Sequence, residues 1–148
     1  MKVSIGTDHA GLEIKNDIAD YLRGQGYEVV DLGTYDKTSC DYTDYAERVG
    51  VSVMRGEVDR GILVCMTGIG MSVAVNKIPS VRGALVRDTE TARLTREHND
   101  SNVLILSGKF TPLDEAKHIC DIWLSTEFSN EERHARRIDK ISALEGKY

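Results

Sequence analysis

The stretch that most constrains the fold runs from Gly61 to Ser72 and reads Gly-Ile-Leu-Val-Cys-Met-Thr-Gly-Ile-Gly-Met-Ser. It begins as a continuous apolar run, which is typical of a strand buried on both faces of a parallel sheet. A thiol and a hydroxyl then precede two glycines, and the residues after Gly70 favour the first turns of a helix. A strand, a glycine turn and a helix N-terminus present backbone N–H groups and a positive dipole end, which predicts a site for an anion.

The rest of the chain alternates between strand patterns and amphipathic helical patterns. Besides the opening stretch, strand patterns cover residues 2–7, 27–32, 81–86 and 102–106. Helical spacing of apolar residues follows each strand, so the alternation predicts an α/β fold with helices on both faces of a five-stranded parallel sheet. A length of 148 residues suits a single domain over residues 1–148.

The last segment, residues 131–144, is highly charged and places Ile138, Ile141 and Leu144 on one narrow helical face. We expect this C-terminal helix to lie outside the sheet layers and to pack on a neighbour such as a partner subunit.

Charge and composition exclude several classes of protein. The net charge of -5 argues against a nucleic-acid binder, since such proteins carry a basic face. No stretch is long and apolar enough to span a membrane, and the first residues lack the pattern of a signal peptide, so we expect a cytoplasmic protein. Cys40, Cys65 and Cys120 are odd in number and too widely spaced for a disulfide framework or a paired metal motif, so we expect reduced thiols.

Polar residues stand at the carboxyl ends of the predicted strands, which is where ligands bind in open parallel sheets. This coincidence predicts a functional site at that edge. The residues are Asp8 and His9 after the first strand, Cys65 and Thr67 after the third, Arg87 and Asp88 after the fourth, and Lys109 after the fifth.

Each of these side chains has an ordinary structural interpretation beside a chemical one. Cys65 could be a small buried apolar residue, or a thiolate favoured by the helix N-terminus that serves as base or nucleophile. Thr67 could cap the next helix or donate to an oxyanion, and Asp8 could simply cap a helix. His98, in a predicted polar turn over residues 98–100, could be a solvated histidine or a proton shuttle.

Two further clusters remain open on the residues alone. Arg133, His134 and Arg137 could belong to a salt-bridged surface helix, or could hold a phosphate monoester. The Gly68-x-Gly70 spacing invites comparison with a dinucleotide fingerprint, but Val73 stands where the third glycine should be.

Taken together, the motifs resemble the family of ribose-5-phosphate isomerase B and galactose-6-phosphate isomerase, and they occur in the right order through the chain. The motifs are Gly6-Thr7-Asp8-His9-Ala10-Gly11, Asp41-Tyr42-x-Asp44-Tyr45, Gly61 to Ser72, Asn76-Lys77, Arg93-Leu94-x-Arg96-Glu97-His98-Asn99-Asp100-x-Asn102, and Arg133-His134-x-x-Arg137-Ile138.

The resemblance implies a Rossmann-like three-layer sandwich and an aldose–ketose isomerase without cofactor or metal. It implies sites built at the interface of a homodimer, with a tetramer as the alternative assembly. These sites would convert ribose 5-phosphate to ribulose 5-phosphate through a cis-enediolate. Cys65 would be the base, Thr67 would stabilise the enediolate oxygen, and His98 with Asp8 would open the furanose ring. The substrate-binding residues that it implies are His9, Tyr42, Gly68, Ile69, Gly70, Ser72, Asn99, Lys109, Arg133, His134 and Arg137.

The chain departs from the family pattern at several of these positions. Met66 stands where glycine is common, Lys109 where a phosphate-binding arginine is frequent, and Glu131-Glu132 where glycines are usual. These departures leave the reaction class intact and keep other substrates open, namely allose 6-phosphate, galactose 6-phosphate and erythrulose 4-phosphate. A non-catalytic phosphosugar sensor and a dinucleotide-binding module are the rival interpretations from other classes.

Overall fold

The computed structural model describes residues 1–148 and contains five strands and six α-helices. In chain order they are β1 (Lys2–Thr7), α1 (Leu12–Gly24), β2 (Glu28–Asp31), α2 (Tyr42–Met54), β3 (Arg60–Cys65), α3 (Ile69–Val75), β4 (Gly83–Leu85), α4 (Thr89–Asn99), β5 (Val103–Ser107), α5 (Leu113–Ser125) and α6 (Glu132–Ser142). A single 3-10 turn, His9–Gly11, joins β1 to α1. None of the helices combines the length and apolar character needed to cross a membrane.

The five strands form one parallel sheet in the order β2-β1-β3-β5-β4. β2 and β3 lie on opposite sides of β1, so the strand order reverses between β1 and β3. In sheets of this kind the crevice beyond the carboxyl ends of those two strands is the usual ligand site. The prediction of an α/β fold with a five-stranded parallel sheet is therefore confirmed.

Helices cover both faces of the sheet, and the alternation of side chains along β3 shows why. Ile62 and Val64 pack in a cluster with residues of α1 and α5, whereas Leu63 and Cys65 pack in a second cluster with residues of α2 and α3. Because both faces of β3 are buried, its sequence reads as an unbroken apolar run rather than as an alternating one.

Three predicted boundaries were wrong. The polar turn predicted over residues 98–100 is a continuation of α4 through Asn99, and only Asp100 leaves the helix, with φ 45°. The strand predicted over residues 81–86 is confined to Gly83–Leu85, because the N–H of Arg82 bonds to the Asn102 side chain instead of to a neighbouring strand. Tyr42, predicted to lie in a loop, is the first residue of α2.

Candidate active site

The turn after β3 holds the thiol of Cys65 at the edge of the sheet. Its side chain lies against α3 and is 6% exposed, and its Sγ accepts a hydrogen bond from the Gly68 N–H at 3.2 Å. Gly68 has φ 80°, a left-handed conformation, and a Cβ there would lie 2.5 Å from Leu85 Cδ1. Only glycine therefore allows the backbone to turn this closely around the sulfur.

Thr67 in the turn and Tyr42 at the start of α2 bring hydroxyl groups to the beginning of α3. The hydroxyl oxygen of Thr67 accepts the Ile69 N–H at 3.2 Å, which leaves its own O–H available to a ligand. A Cβ at Gly70 would lie 2.6 Å from Cζ of Tyr42, so the tyrosine ring packs directly on the first turn of α3. Both the helix-capping and the oxyanion interpretations of Thr67 are compatible with this geometry.

The loop after β5 fixes the end of β3 through hydrogen bonds that the sequence analysis did not predict. The N–H of Gly108 donates to the Cys65 carbonyl at 2.8 Å, and the N–H of Lys109 donates to the Met66 carbonyl at 3.1 Å. The buried hydroxyl of Ser107 donates a second bond to the Met66 carbonyl at 2.8 Å and accepts the Phe110 N–H at 3.0 Å. The prediction that Lys109 lies near the thiol edge thus agrees with the structure.

The turn after β1 brings Asp8 and His9 to the same edge. Asp8 is largely buried and its carboxylate accepts the Ala10 N–H at 3.1 Å, so it caps the 3-10 turn as its structural interpretation expected. The backbone N–H of Cys40 donates to Nδ1 of His9 at 3.3 Å. Because Nδ1 is the acceptor, a neutral His9 carries its proton on Nε2, where it is a donor. His9 and Gly108 line a cavity of about 500 Å³.

A second group of the predicted site residues lies around the end of α4. The rings of His98 and His134 are 4.3 Å apart between centroids. His134 is 3% exposed, and its Nδ1 lies 2.8 Å from the Ser129 hydroxyl, a partner that sequence reasoning missed. Burial, and then the neighbouring charges of His98 and Arg133, lower the pKa of His134 from its ordinary value.

The arginines of α6 lie beside these histidines and differ in their partners. Nε of Arg133 bonds to a Glu131 carboxylate oxygen at 2.8 Å, in an exposed pair. Arg137 is exposed and forms no ion pair in the chain. Asn99 lines a cleft of about 790 Å³ together with Ile141 and Leu144. Although this cleft is the larger of the two cavities, it is remote from the thiol.

The predicted site residues therefore form two groups. The carboxyl-edge group contains Asp8, His9, Tyr42, Cys65, Thr67, Gly68, Ile69, Gly70, Ser72 and Lys109, and the amino-edge group contains His98, Asn99, Arg133, His134 and Arg137. α4 has 11 residues and returns from the carboxyl edge to the amino edge, so the groups are on the order of 15 Å apart within one chain.

We expect the buried His134 to make folding stability depend on pH. Because its folded pKa is lowered, the unfolded chain binds more protons, and stability present above a pH of about 6.5 is lost as pH falls through the folded pKa. Urea unfolding midpoints between about pH 7.5 and pH 5.5 should therefore fall less in His134→Gln than in the wild type. His118→Gln, at an exposed histidine, is the control, and equal pH dependence in all three proteins would contradict this role.

No group of three or more His, Cys, Asp or Glu side chains is arranged to hold a metal ion. The carboxyl-edge group offers instead a thiol, a hydroxyl and backbone amides in one turn. Such a set can move a proton and stabilise the negative charge that develops on a neighbouring oxygen.

Comparison with known proteins agrees with both the fold and the arrangement of motifs. The Ribose/Galactose Isomerase family matches residues 3–141. Ribose-5-phosphate isomerase B of Escherichia coli is 40% identical over 144 residues, which are 97% of this chain and 96% of that protein. Ribose-5-phosphate isomerase B of Clostridium thermocellum has a structure with TM-score 0.98 and 47% identity, over 100% of this chain and 99% of that one.

A structure from Mycoplasma genitalium, ribose-5-phosphate isomerase B with bound ribulose-5-phosphate, matches with TM-score 0.93 and 40% identity, over 99% of this chain and 97% of that one. These matches span almost the whole chain, and they confirm the resemblance inferred from its motifs. The chain belongs to the ribose/galactose isomerase family.

Proposed function

We propose that this isomerase interconverts ribose 5-phosphate and ribulose 5-phosphate through a cis-enediolate. The observation that carries the proposal is the placement of the Cys65 thiol in a glycine turn at the β1/β3 crevice, with the Gly68 N–H bonded to its sulfur. Because the Gly68 N–H donates to the sulfur, the turn can stabilise negative charge there when the thiol acts as a base. The family relationship and the bound ketose phosphate of the Mycoplasma structure support the choice of substrate class.

In the proposed reaction Cys65 removes the proton from C2 of the open-chain aldose. The electron pair of that C–H bond forms the C1–C2 double bond, and the carbonyl electrons move onto O1 to give the enediolate. Thr67 and the amides of the turn would stabilise this oxygen. Return of the proton to C1, with transfer of the O2 hydroxyl proton to O1, completes the ketose without any cofactor.

The separation of the two residue groups favours a site shared between two copies of the chain. Within one chain the amino-edge group is on the order of 15 Å from the thiol, too far for both to contact one pentose. Met66, Ile69 and Val73 expose 53%, 54% and 61% of their surface beside the thiol, an unusual set of large apolar side chains for solvent. We infer that this α3 surface contacts a second copy, whose amino-edge group completes the site.

In this homodimer the amino-edge group supplies ring opening and phosphate binding. His98 of one copy, acting with Asp8 of the other, would move the proton between the ring oxygen and the O1 hydroxyl. Arg133 and Arg137, with His9 and Lys109 across the interface, would hold the phosphate. Its binding energy would fix the reacting carbons near the thiol. His134, buried in its own chain, supports His98 rather than presenting an open face to the phosphate.

Hydrogen exchange and turnover in deuterium oxide test this function. We expect the purified protein to convert ribose 5-phosphate and to place solvent deuterium on C1 of the ketose product. Allose 6-phosphate, galactose 6-phosphate and erythrulose 4-phosphate should be slower. A faster reaction with one of these sugars would replace the proposed substrate, and binding of every sugar without exchange would indicate a sensor.

A further inference from the structure

The end of α4, which carries His98 and Asn99, depends on the conformation of the next residue. Asp100 has φ 45° and ψ 47°, its N–H donates to the Arg96 carbonyl at 3.1 Å, and the N–H of Ser101 donates to the Thr95 carbonyl at 3.2 Å. A left-handed conformation is unfavourable for a non-glycine residue, so it persists only where the surroundings hold it. Helix ends without such restraints fray, and the side chains of their last turn then lose a defined position.

Two arginines hold the Asp100 carboxylate from opposite sides. Nη1 of Arg96 bonds to Oδ1 at 2.8 Å, and Nη2 of Arg82 bonds to Oδ2 at 2.9 Å. Nε of Arg82 also donates to the carbonyls of Asn99 at 3.1 Å and of Asp100 at 2.9 Å. The two arginines therefore hold both the side chain of Asp100 and the backbone of Asn99.

The contacts of Arg96 give the Asp100 carboxylate a second reason to stay in place. Arg96 is buried, and it also donates to the carbonyls of Ser101 and Thr126. A second buried arginine, Arg60, lies close enough for the charge of Arg96 to lower its pKa, after burial as the main cause. Asp100 is the only carboxylate that forms an ion pair with Arg96.

We propose that Asp100 is a positioning residue for ring opening, which it serves by fixing the last turn of α4 and hence the direction of His98 and Asn99. The inference rests on the proposed function, because it presumes that His98 moves the proton of the ring oxygen. Asp100 itself contacts no substrate. A displacement of about 1 Å in a group that transfers a proton lowers the rate by up to roughly 100-fold.

Two reactions separate this role from general damage to the fold. Ribose 5-phosphate closes into a furanose through O4, so its conversion requires ring opening. Ribulose 5-phosphate is open-chain because its O5 carries the phosphate, so exchange of its C1 hydrogen with deuterium oxide needs only the thiol and the enediolate. In Asp100→Asn we expect turnover of ribose 5-phosphate to fall roughly 10- to 100-fold, with C1 exchange of ribulose 5-phosphate within about twofold of wild type.

Three further variants make the result decisive. His98→Asn should show the same selective loss, and Asp20→Asn, which breaks an exposed pair with Arg23, should change neither reaction. Arg82→Lys keeps the charge but loses the forked contact, so it should show a smaller selective loss of ribose 5-phosphate turnover. It provides the test of the proposal if Asp100→Asn does not fold. An equal loss of both reactions in the Asp100 and Arg82 variants, or no loss, would overturn the positioning role. If only His98→Asn shows the selective loss, the proposed function stands and the role of Asp100 is refuted. If His98→Asn also shows no selective loss, the ring-opening role of His98 is refuted too.

Discussion

Replacing Cys65 with alanine should abolish isomerisation of ribose 5-phosphate and hydrogen exchange at C1 of ribulose 5-phosphate together. The thiol is the only side chain of the β3 turn that can accept a carbon-bound proton, so its loss removes the base, a loss of roughly 10³-fold or more in kcat. Cys65→Ser should be nearly as inactive, because a hydroxyl is a much weaker base than a thiolate. Both variants should retain the helical circular dichroism of the wild type, since the side chain lies at the edge of the sheet.

Cys120 provides the matched control for loss of a thiol. It is fully buried in α5, where burial raises the pKa of its thiol to about 12, so it remains protonated and unreactive at neutral pH. Cys120→Ala should lower the melting temperature through a small core cavity while leaving kcat near the wild-type value. Substantial activity in Cys65→Ala would refute the proposed base, whatever the outcome for Cys120.

Two variants with different defects should restore activity to each other when they are combined in one dimer. Cys65→Ala lacks the proposed base, and Arg137→Ala lacks a proposed phosphate contact, a loss that should lower kcat/KM roughly 100-fold. If each site takes the thiol from one copy and the arginine from the other, a mixed dimer has one site with both defects and one intact site. Heterodimers isolated with two different affinity tags should then reach about half of wild-type specific activity.

The mixed-dimer experiment has its own control and its own contrary outcome. Two differently tagged copies of Cys65→Ala, combined in the same way, should remain inactive. If heterodimers of Cys65→Ala and Arg137→Ala stay inactive although both chains are present, the thiol and the arginine act within one chain. The assignment of the amino-edge group to the partner copy would then be wrong.

The parts of the fold that follow from local patterns were the predictable ones. The apolar run of β3 predicted a strand buried on both faces, and its two neighbouring clusters of core residues confirm it. The end of α4 was not predictable in this way. Residues 98–100 are polar and favour a turn. In the structure, bonds from Arg82 and Arg96 hold the helix through Asn99, and these bonds form only when the chain is folded.

Within the candidate site, too, the residues set by the local sequence were predictable and those set by distant contacts were not. Residues at the end of a strand or directly after it, such as Cys65 and Asp8, lie at the predicted edge because the carboxyl ends of parallel strands share one edge. The separation of His98 from the thiol within one chain depends on the direction of α4, which spacing in the sequence does not display. Ser107 and Ser129 were missed because a single hydroxyl that bonds across the fold leaves no repeating pattern.

In the proposed homodimer, the exposed apolar surface beside the thiol would make activity depend on protein concentration. Formation of the dimer that completes the site would also bury Met66, Ile69 and Val73. Each chain would therefore become active at the same step that removes these side chains from solvent. A newly synthesised chain would thus be inert toward sugar phosphates until it meets its copy. Below the dissociation constant of the pair, specific activity per chain would decline on dilution, so the abundance of the protein would govern the efficiency of each molecule as well as their number.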